Sequence, residues 1–224
     1  MARLPLEAIF EWDVAIWSRS LDLWERHLPA ELDGSRALEI GARNGGLSLY
    51  LADKGATVVC SDLTDPEERA RPGHERWGVA DRIEYRQVDT THLPFDDESF
   101  ELVAFKSVLG ALSTAEAQAR AMAELRRVLR PGGRLLWAEN LAASRLHRLL
   151  RRRLPWASYW RYPSLAEWQE WTSGFAQCHL ATAGVSAALG RSERQRRVLA
   201  RFDGVLERVT PRGWRYAVFG VARK

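Results

Sequence analysis

The period of apolar positions changes several times along this chain, and each change marks a predicted element. Between 4 and 28, Phe10, Trp17 and Trp24 recur every seventh position, with Leu21 and Leu28 near the same face. That stripe predicts one long amphipathic helix, ended by Pro29 and the Asp33-Gly34 pair. Short apolar runs then predict strands at 36–40, 57–61, 83–88, 102–105 and 134–138. Helical spacing between them predicts helices at 45–54, 66–78 and 113–129. The second has a loop-like centre at Pro72-Gly73, and the third opens on Ser113-Thr114 as caps. A strand at 178–182, a helix at 193–208 and a strand at 214–222 complete the pattern. In the last strand Tyr216, Val218, Gly220 and Ala222 alternate with Ala217, Phe219 and Val221. Runs apolar on both faces suit a covered sheet, and strand–helix alternation predicts an α/β fold.

One segment adds chemistry to this pattern. Residues 37–63 read strand, glycine-rich turn, helix, strand, with Asp62 closing the second strand about 20 residues beyond the first glycine, Gly41. A parallel βαβ unit of this form is a nucleoside-binding half-sheet: bare glycines admit a ligand, and the acid accepts hydrogen bonds from ribose hydroxyls. A dinucleotide site would need a glycine where Arg43 stands, because a side chain there crowds a pyrophosphate. S-adenosylmethionine (SAM) carries no phosphate, so the objection is weaker for it.

Glu39, Gly41, Arg43 and Gly45 match the form E/D-x-G-x-G-x-G with its middle glycine replaced, and here the chain resembles the class I SAM-dependent methyltransferases. The stretch QVDTTHLPFDDESFELVAF is similar to the family's third and fourth motifs. ELRRVLRPGGRLLWAEN is similar to its Pro-Gly-Gly turn and fifth strand. The resemblance spans 35–140. It implies a Rossmann-like, seven-stranded, mostly parallel sheet with helices on both faces and an antiparallel last strand. It implies SAM as cofactor. It places Asp89 at the adenine amino group, with Thr90 beside it. The expected cofactor set is therefore Glu39, Gly41, Arg43, Gly45, Gly46, Asp62, Asp89 and Thr90. Glu39 organises the loop or reaches the methionine amine through water. Arg43 points to solvent or pairs with the cofactor carboxylate.

Composition narrows the class. The 224 residues, 46% hydrophobic and 28% charged, suit one soluble domain. We expect one methyltransferase domain over 1–224, with 1–33 as a helical cover and 140–175 as an aromatic, arginine-rich lid. No apolar run reaches membrane-spanning length and no signal-peptide pattern opens the chain, so a cytoplasmic protein is expected. The two cysteines, Cys60 and Cys178, fall in predicted strands and read as buried free thiols rather than a disulfide or a metal pair; no metal is expected. The net charge of +4 rests almost wholly on arginine, since lysine occurs only at Lys54, Lys106 and Lys224. It suits anionic ligands, and no nucleic-acid-binding motif accompanies it.

Methyl transfer asks little acid–base work of the protein, because the sulfonium is already activated. Catalytic candidates are accordingly few. Lys106 follows the fourth strand on the ligand-binding carboxyl edge, facing either substrate or solvent. Glu139 and Asn140 end the fifth strand on that edge, for substrate contact or helix capping. His147 is a testable base; His92 reads as structural and His179 as a core histidine. The segment 144–154 places Leu146, Leu149, Leu150 and Leu154 on one helical face and arginines elsewhere, with Trp156, Tyr159, Trp160 and Tyr162 after it. It reads as a lid helix packed on the sheet, as a pocket for an anionic or ring-containing substrate, or as a shallow contact with anionic lipid. Some 35 residues separate the fifth and sixth strands, far beyond the 2–6 of a plain connection. Its aromatics are therefore expected to pack around Trp17 and Trp24 and close the site.

The expected function is SAM-dependent O-methylation of a small-molecule, sugar-like or glycan acceptor, with no prediction of oligomeric state. A catalytically degenerate SAM-binding module and a NAD-dependent oxidoreductase are the alternatives.

Overall fold

The computed structural model describes residues 4–152 and 159–224. The chain opens with three short helices, α1 (Leu6–Phe10), α2 (Val14–Trp17) and α3 (Arg19–Glu25). Then come β1 (Arg36–Ile40), α4 (Gly46–Asp53), β2 (Thr57–Asp62), α5 (Glu67–Arg76), β3 (Ile83–Gln87), β4 (Phe100–Lys106), α6 (Ala115–Val128) and β5 (Leu129–Asn140). The remainder is α7 (Arg145–Arg151), α8 (Leu165–Thr172), β6 (Gln177–Ala183), α9 (Glu193–Val209) and β7 (Ala217–Arg223). The strands form one sheet in the order β3-β2-β1-β4-β5-β7-β6. β1 to β5 pair in parallel, and β7 runs antiparallel to both β5 and β6.

Alternation along the strands divides the core in two. Ala37, Val58, Cys60, Leu102, Ala104, Leu136, Phe219 and Val221 face the N-terminal helices and α4. Leu38, Ile40, Val59, Val103, Phe105, Leu135, Trp137 and Val218 face α6 and α8. On the second side Trp137 stacks flat on Trp168, ring centres 5.2 Å apart. Side-chain caps start the helices beyond β4: Thr114 accepts Ala117 N–H, and Ser164 forms a capping box with Glu167.

Several expectations are corrected. The stripe over 4–28 is buried at Phe10, Trp17 and Trp24, but it is not one helix. Glu11 and Asp13 take left-handed φ values of 62° and 48°. Groups outside the helix satisfy the backbone released there: Glu193 accepts the Asp13 and Val14 N–H, and Lys106 donates to Phe10 O. α5 runs unbroken through Pro72, which lies inside it. β5 extends back through Pro131-Gly132-Gly133. Cys178 and His179 lie exposed on β6, an edge strand, rather than in the core, and His179 meets the His27 ring at a tilt, ring centres 4.0 Å apart.

The expected lid is also redrawn. Trp17 and Trp24 belong to the core on one side of the sheet, whereas Trp168 and Trp171 pack on the other. Trp160 lies against Gly110, and Arg161 N–H donates to Gly110 O. Trp160 and Arg161 therefore rest on the loop after β4. Leu146 and Leu149 of α7 are exposed, so the apolar face of that helix is not packed on the sheet. Leu154 and Trp156 lie outside the described residues.

Candidate active site

The carboxyl ends of β1 to β5 collect the predicted polar residues on one edge. At β1 the chain must turn sharply to enter α4. Gly41 and Gly45 do so with φ of 62° and 72°, and Arg43 between them takes φ of 53°. A left-handed arginine costs about 1 kcal/mol where glycine would be free. Its N–H donates to Asp62 Oδ2 at 2.9 Å, which fastens the turn to the end of β2. The glycines here give up their side-chain space to neighbours. A Cβ on Gly41 would meet Val108 at 2.4 Å, one on Gly45 the His74 ring at 2.5 Å, and one on Gly46 the Ile9 carbonyl oxygen at 2.1 Å.

Three acids have distinct tasks. Glu39 is fully enclosed and accepts Leu47 N–H, Ser48 N–H and the Ser48 hydroxyl, so it anchors the first turn of α4 from beneath. Burial raises its pKa to about 7, against those bonds. Asp62 accepts the Arg43 and Leu63 N–H and remains half-buried. Asp89 is exposed; one of its oxygens accepts the Thr91 N–H and hydroxyl, which holds its pKa below the usual range. Beside it the Thr90 hydroxyl oxygen is buried and has no hydrogen-bond partner among the described residues. Val88 N–H donates to Asp62 O at 2.8 Å, which places the 88–90 stretch against the end of β2.

Lys106 corrects the reading of a solvent-facing lysine, because it is buried. Its Nζ donates to Phe10 O at 2.7 Å and stands 3.1 Å from the centre of the Trp12 ring. Burial lowers its pKa to about 7, with Glu11 opposing the shift and Arg43 adding to it. The Arg43 guanidinium lies 4.5 Å from the same ring, and Asn44 donates to Glu11. Trp12 is therefore the contact by which the N-terminal segment reaches both cations of the edge. Trp12 escaped the sequence reading because the break beside it leaves no glycine or proline signal.

Glu139 and Asn140 meet there as well. Glu139 is fully buried and accepts the Val108, Leu109 and Asn140 N–H, each at 2.7 Å; burial raises its pKa. Asn140 donates to the Ser107 hydroxyl at 2.9 Å. This pair fastens the loop after β4. His147 does not join the cluster: its ring bonds Ser144 Oγ and Val185 O, both at 2.8 Å.

Residues 38–137 match the family described as a methyltransferase domain. A little under half of the chain is thus similar to a methyltransferase domain. A demethylmenaquinone methyltransferase of Clavibacter sepedonicus is 38% identical over 110 residues, covering 49% of this chain and 43% of that protein. A ubiquinone/menaquinone biosynthesis C-methyltransferase of Pseudomonas putida is 35% identical over 126 residues, covering 52% and 47%. The chain thus spans under half the length of these curated relatives. Among solved structures, a Haemonchus contortus phosphoethanolamine N-methyltransferase bound to S-adenosylhomocysteine shares the fold at TM-score 0.66. It has 17% identity and is covered over 98% of this chain and 56% of its own. These matches favour methyl transfer over the nicotinamide reading. The residues present suit S-adenosylmethionine: an acid at the end of β2 and, on the same edge, a buried hydroxyl at Thr90 with no partner among the described residues.

Proposed function

We propose that this protein transfers a methyl group from SAM to carbon of a small ring-containing acceptor. The observation that carries the reading is the convergence of the Gly41–Gly46 turn, Asp62 and the unpartnered Thr90 hydroxyl on one sheet edge. Asp62 would accept the ribose hydroxyls through its remaining lone pairs. Asp89 would take the adenine amino group on its free oxygen, with Thr90 beside it. Gly41 and Gly45 let the backbone turn sharply from β1 into α4, Glu39 holds α4 beneath it, and Arg43 or Lys106 offers a cation to the methionine carboxylate. The cofactor supplies an activated methyl group. The protein's part is to align an acceptor and receive the proton it loses. Lys106, with a pKa near neutrality, is the group at this edge best suited to that proton once Trp12 yields.

Carbon rather than oxygen is favoured because a relative matched over half of this chain is named a C-methyltransferase of quinone biosynthesis. The acceptor to try first is a reduced quinone ring of the demethylmenaquinone type. Mass spectrometry and NMR of the product locate the new methyl group, on carbon for this proposal and on oxygen for the reading made from sequence. Calorimetry with S-adenosylhomocysteine tests the site itself. Asp62→Ala should weaken binding by about tenfold to a hundredfold, the loss of charge-assisted hydrogen bonds. Unchanged affinity removes Asp62 from the site.

The second reading is a SAM-binding module without transfer. It is favoured by Arg43 in place of a glycine and by Trp12 and Phe10 O on Lys106. SAM binding without turnover on any quinol or phenol would support it.

A further inference from the structure

α9 is turned inside out. Its acids face inward: Asp203 is fully buried and Glu207 nearly so. Leu199 and Ala200 pack partly against the core, but its other large apolar residues face solvent, with Val198 47% exposed, Phe202 61%, Val205 67% and Val209 81%. Their spacing of four, three and four residues makes one continuous stripe down the helix. Arg194, Arg201 and Arg208 run along one flank, all exposed, and none forms an ion pair among the described residues. α7 repeats the arrangement at smaller scale. Leu146 and Leu149 are 58% and 54% exposed, beside exposed Arg145 and Arg148.

The same turn holds both helices. Asp203 accepts the Val185, Ser186 and Ala187 N–H, and His147 of α7 donates to Val185 O at 2.8 Å. Both helices are thus anchored to the same turn, each with its apolar, arginine-edged side outward.

We propose that the outward faces of α7 and α9 form a docking surface for an anionic lipid bilayer. Apolar side chains would enter the interfacial layer, and the arginines would meet lipid phosphates at its edge. Charge selects this occupant. The outward face of α9 offers guanidinium groups and no carboxylate, so it complements an anionic surface. A second copy is disfavoured, because antiparallel twofold pairing of α9 would set the arginine row against itself. The contact would be peripheral, since no described helix is long and apolar enough to cross a membrane. The proposal rests on α7 and α9 alone and stands apart from the methyl-transfer reading.

Vesicle sedimentation of the full chain tests it without cofactor or acceptor. The protein should bind phosphatidylglycerol-containing vesicles, ignore pure phosphatidylcholine, and release in high salt. Phe202→Glu with Val205→Glu, both solvent-exposed, should lower partitioning by about tenfold or more while leaving circular dichroism and S-adenosylhomocysteine binding unchanged. Arg194→Gln with Arg201→Gln and Arg208→Gln should lower it without touching the apolar stripe. Failure of the wild type to bind anionic vesicles overturns the proposal, as does binding that survives all these substitutions. A wild-type dimer that ignores vesicles and falls apart on Phe202→Glu also overturns it, and would assign the face to a second copy.

Discussion

α6 and α9 are both strongly amphipathic, and they bury opposite faces. α6 turns Ala121, Met122, Leu125 and Val128 onto the sheet and leaves arginine and glutamate in water. α9 turns Asp203 and Glu207 inward and leaves its valines and Phe202 outside. The inward acids of α9 are not stranded charges. Asp203 gathers the N–H groups of the 185–187 turn and the Ser186 hydroxyl, and Glu207 takes Gly184 N–H and the Arg19 guanidinium. One helix is held by excluded water, the other by hydrogen bonds from the N–H groups of a turn. Amphipathicity therefore shows that a helix has two faces without showing which one is inward; the neighbouring backbone decides.

Substitutions sharpen this contrast, beginning with the largest effect. Leu125→Ala on α6 should cost about 2–5 kcal/mol in urea denaturation, because it deletes core atoms that neighbours cannot fully replace. Asp203→Ala on α9 should cost about 3 kcal/mol, a polar deletion as damaging as an apolar one, because it strands several buried donors at once. A loss below about 1 kcal/mol would mean that the turn finds water instead, and the contrast would fail.

A smaller effect is expected from pH. Burial lowers the pKa of His147, which ties α7 to the same turn. Its folded-state pKa lies below the unfolded value of 6.5, so the unfolded chain binds more protons between the two. Stability should fall as pH drops through 6.5 toward the folded pKa, and be unaffected by this group above 6.5. His147→Gln should flatten that part of the curve. His74, buried against Gly45 O and Tyr85, is shifted in the same direction and should leave a residual slope. Smallest of all, Phe202→Ser should change stability by no more than about 0.5 kcal/mol, despite removing a large apolar side chain.

What the sequence revealed follows the same physics. Residues 36–140 were legible because each strand is a short apolar run, each helix has its own period, and glycines mark the turn at Gly41–Gly46. The polar residues of the edge were legible as a set, since each ends a strand. Their immediate tasks were not: Glu39 and Glu139 hold backbone N–H groups of other elements, and Lys106 reaches back to Phe10. The break at Glu11–Asp13 was hidden for a related reason. No local residue forces it; Lys106 and Glu193, distant in sequence, pay for it. Leu146 and Leu149 misled because an apolar stripe normally points inward.

The placement of Trp24 bears on how the chain is made. Its indole N–H donates to Gly220 O, the Tyr216 hydroxyl donates to Asp13, and Arg19 is clasped by Glu207. Each of these partners lies about 190 to 200 positions further along the sequence. Until β7 has been added, the Trp24 indole N–H lacks the Gly220 carbonyl it donates to. The segment remains a client for whatever shields nascent apolar surface until β7 emerges. Pairing across so long a separation is slow to close. A synonymous change that alters the speed at which β7 is translated would therefore act on the fate of α1 to α3.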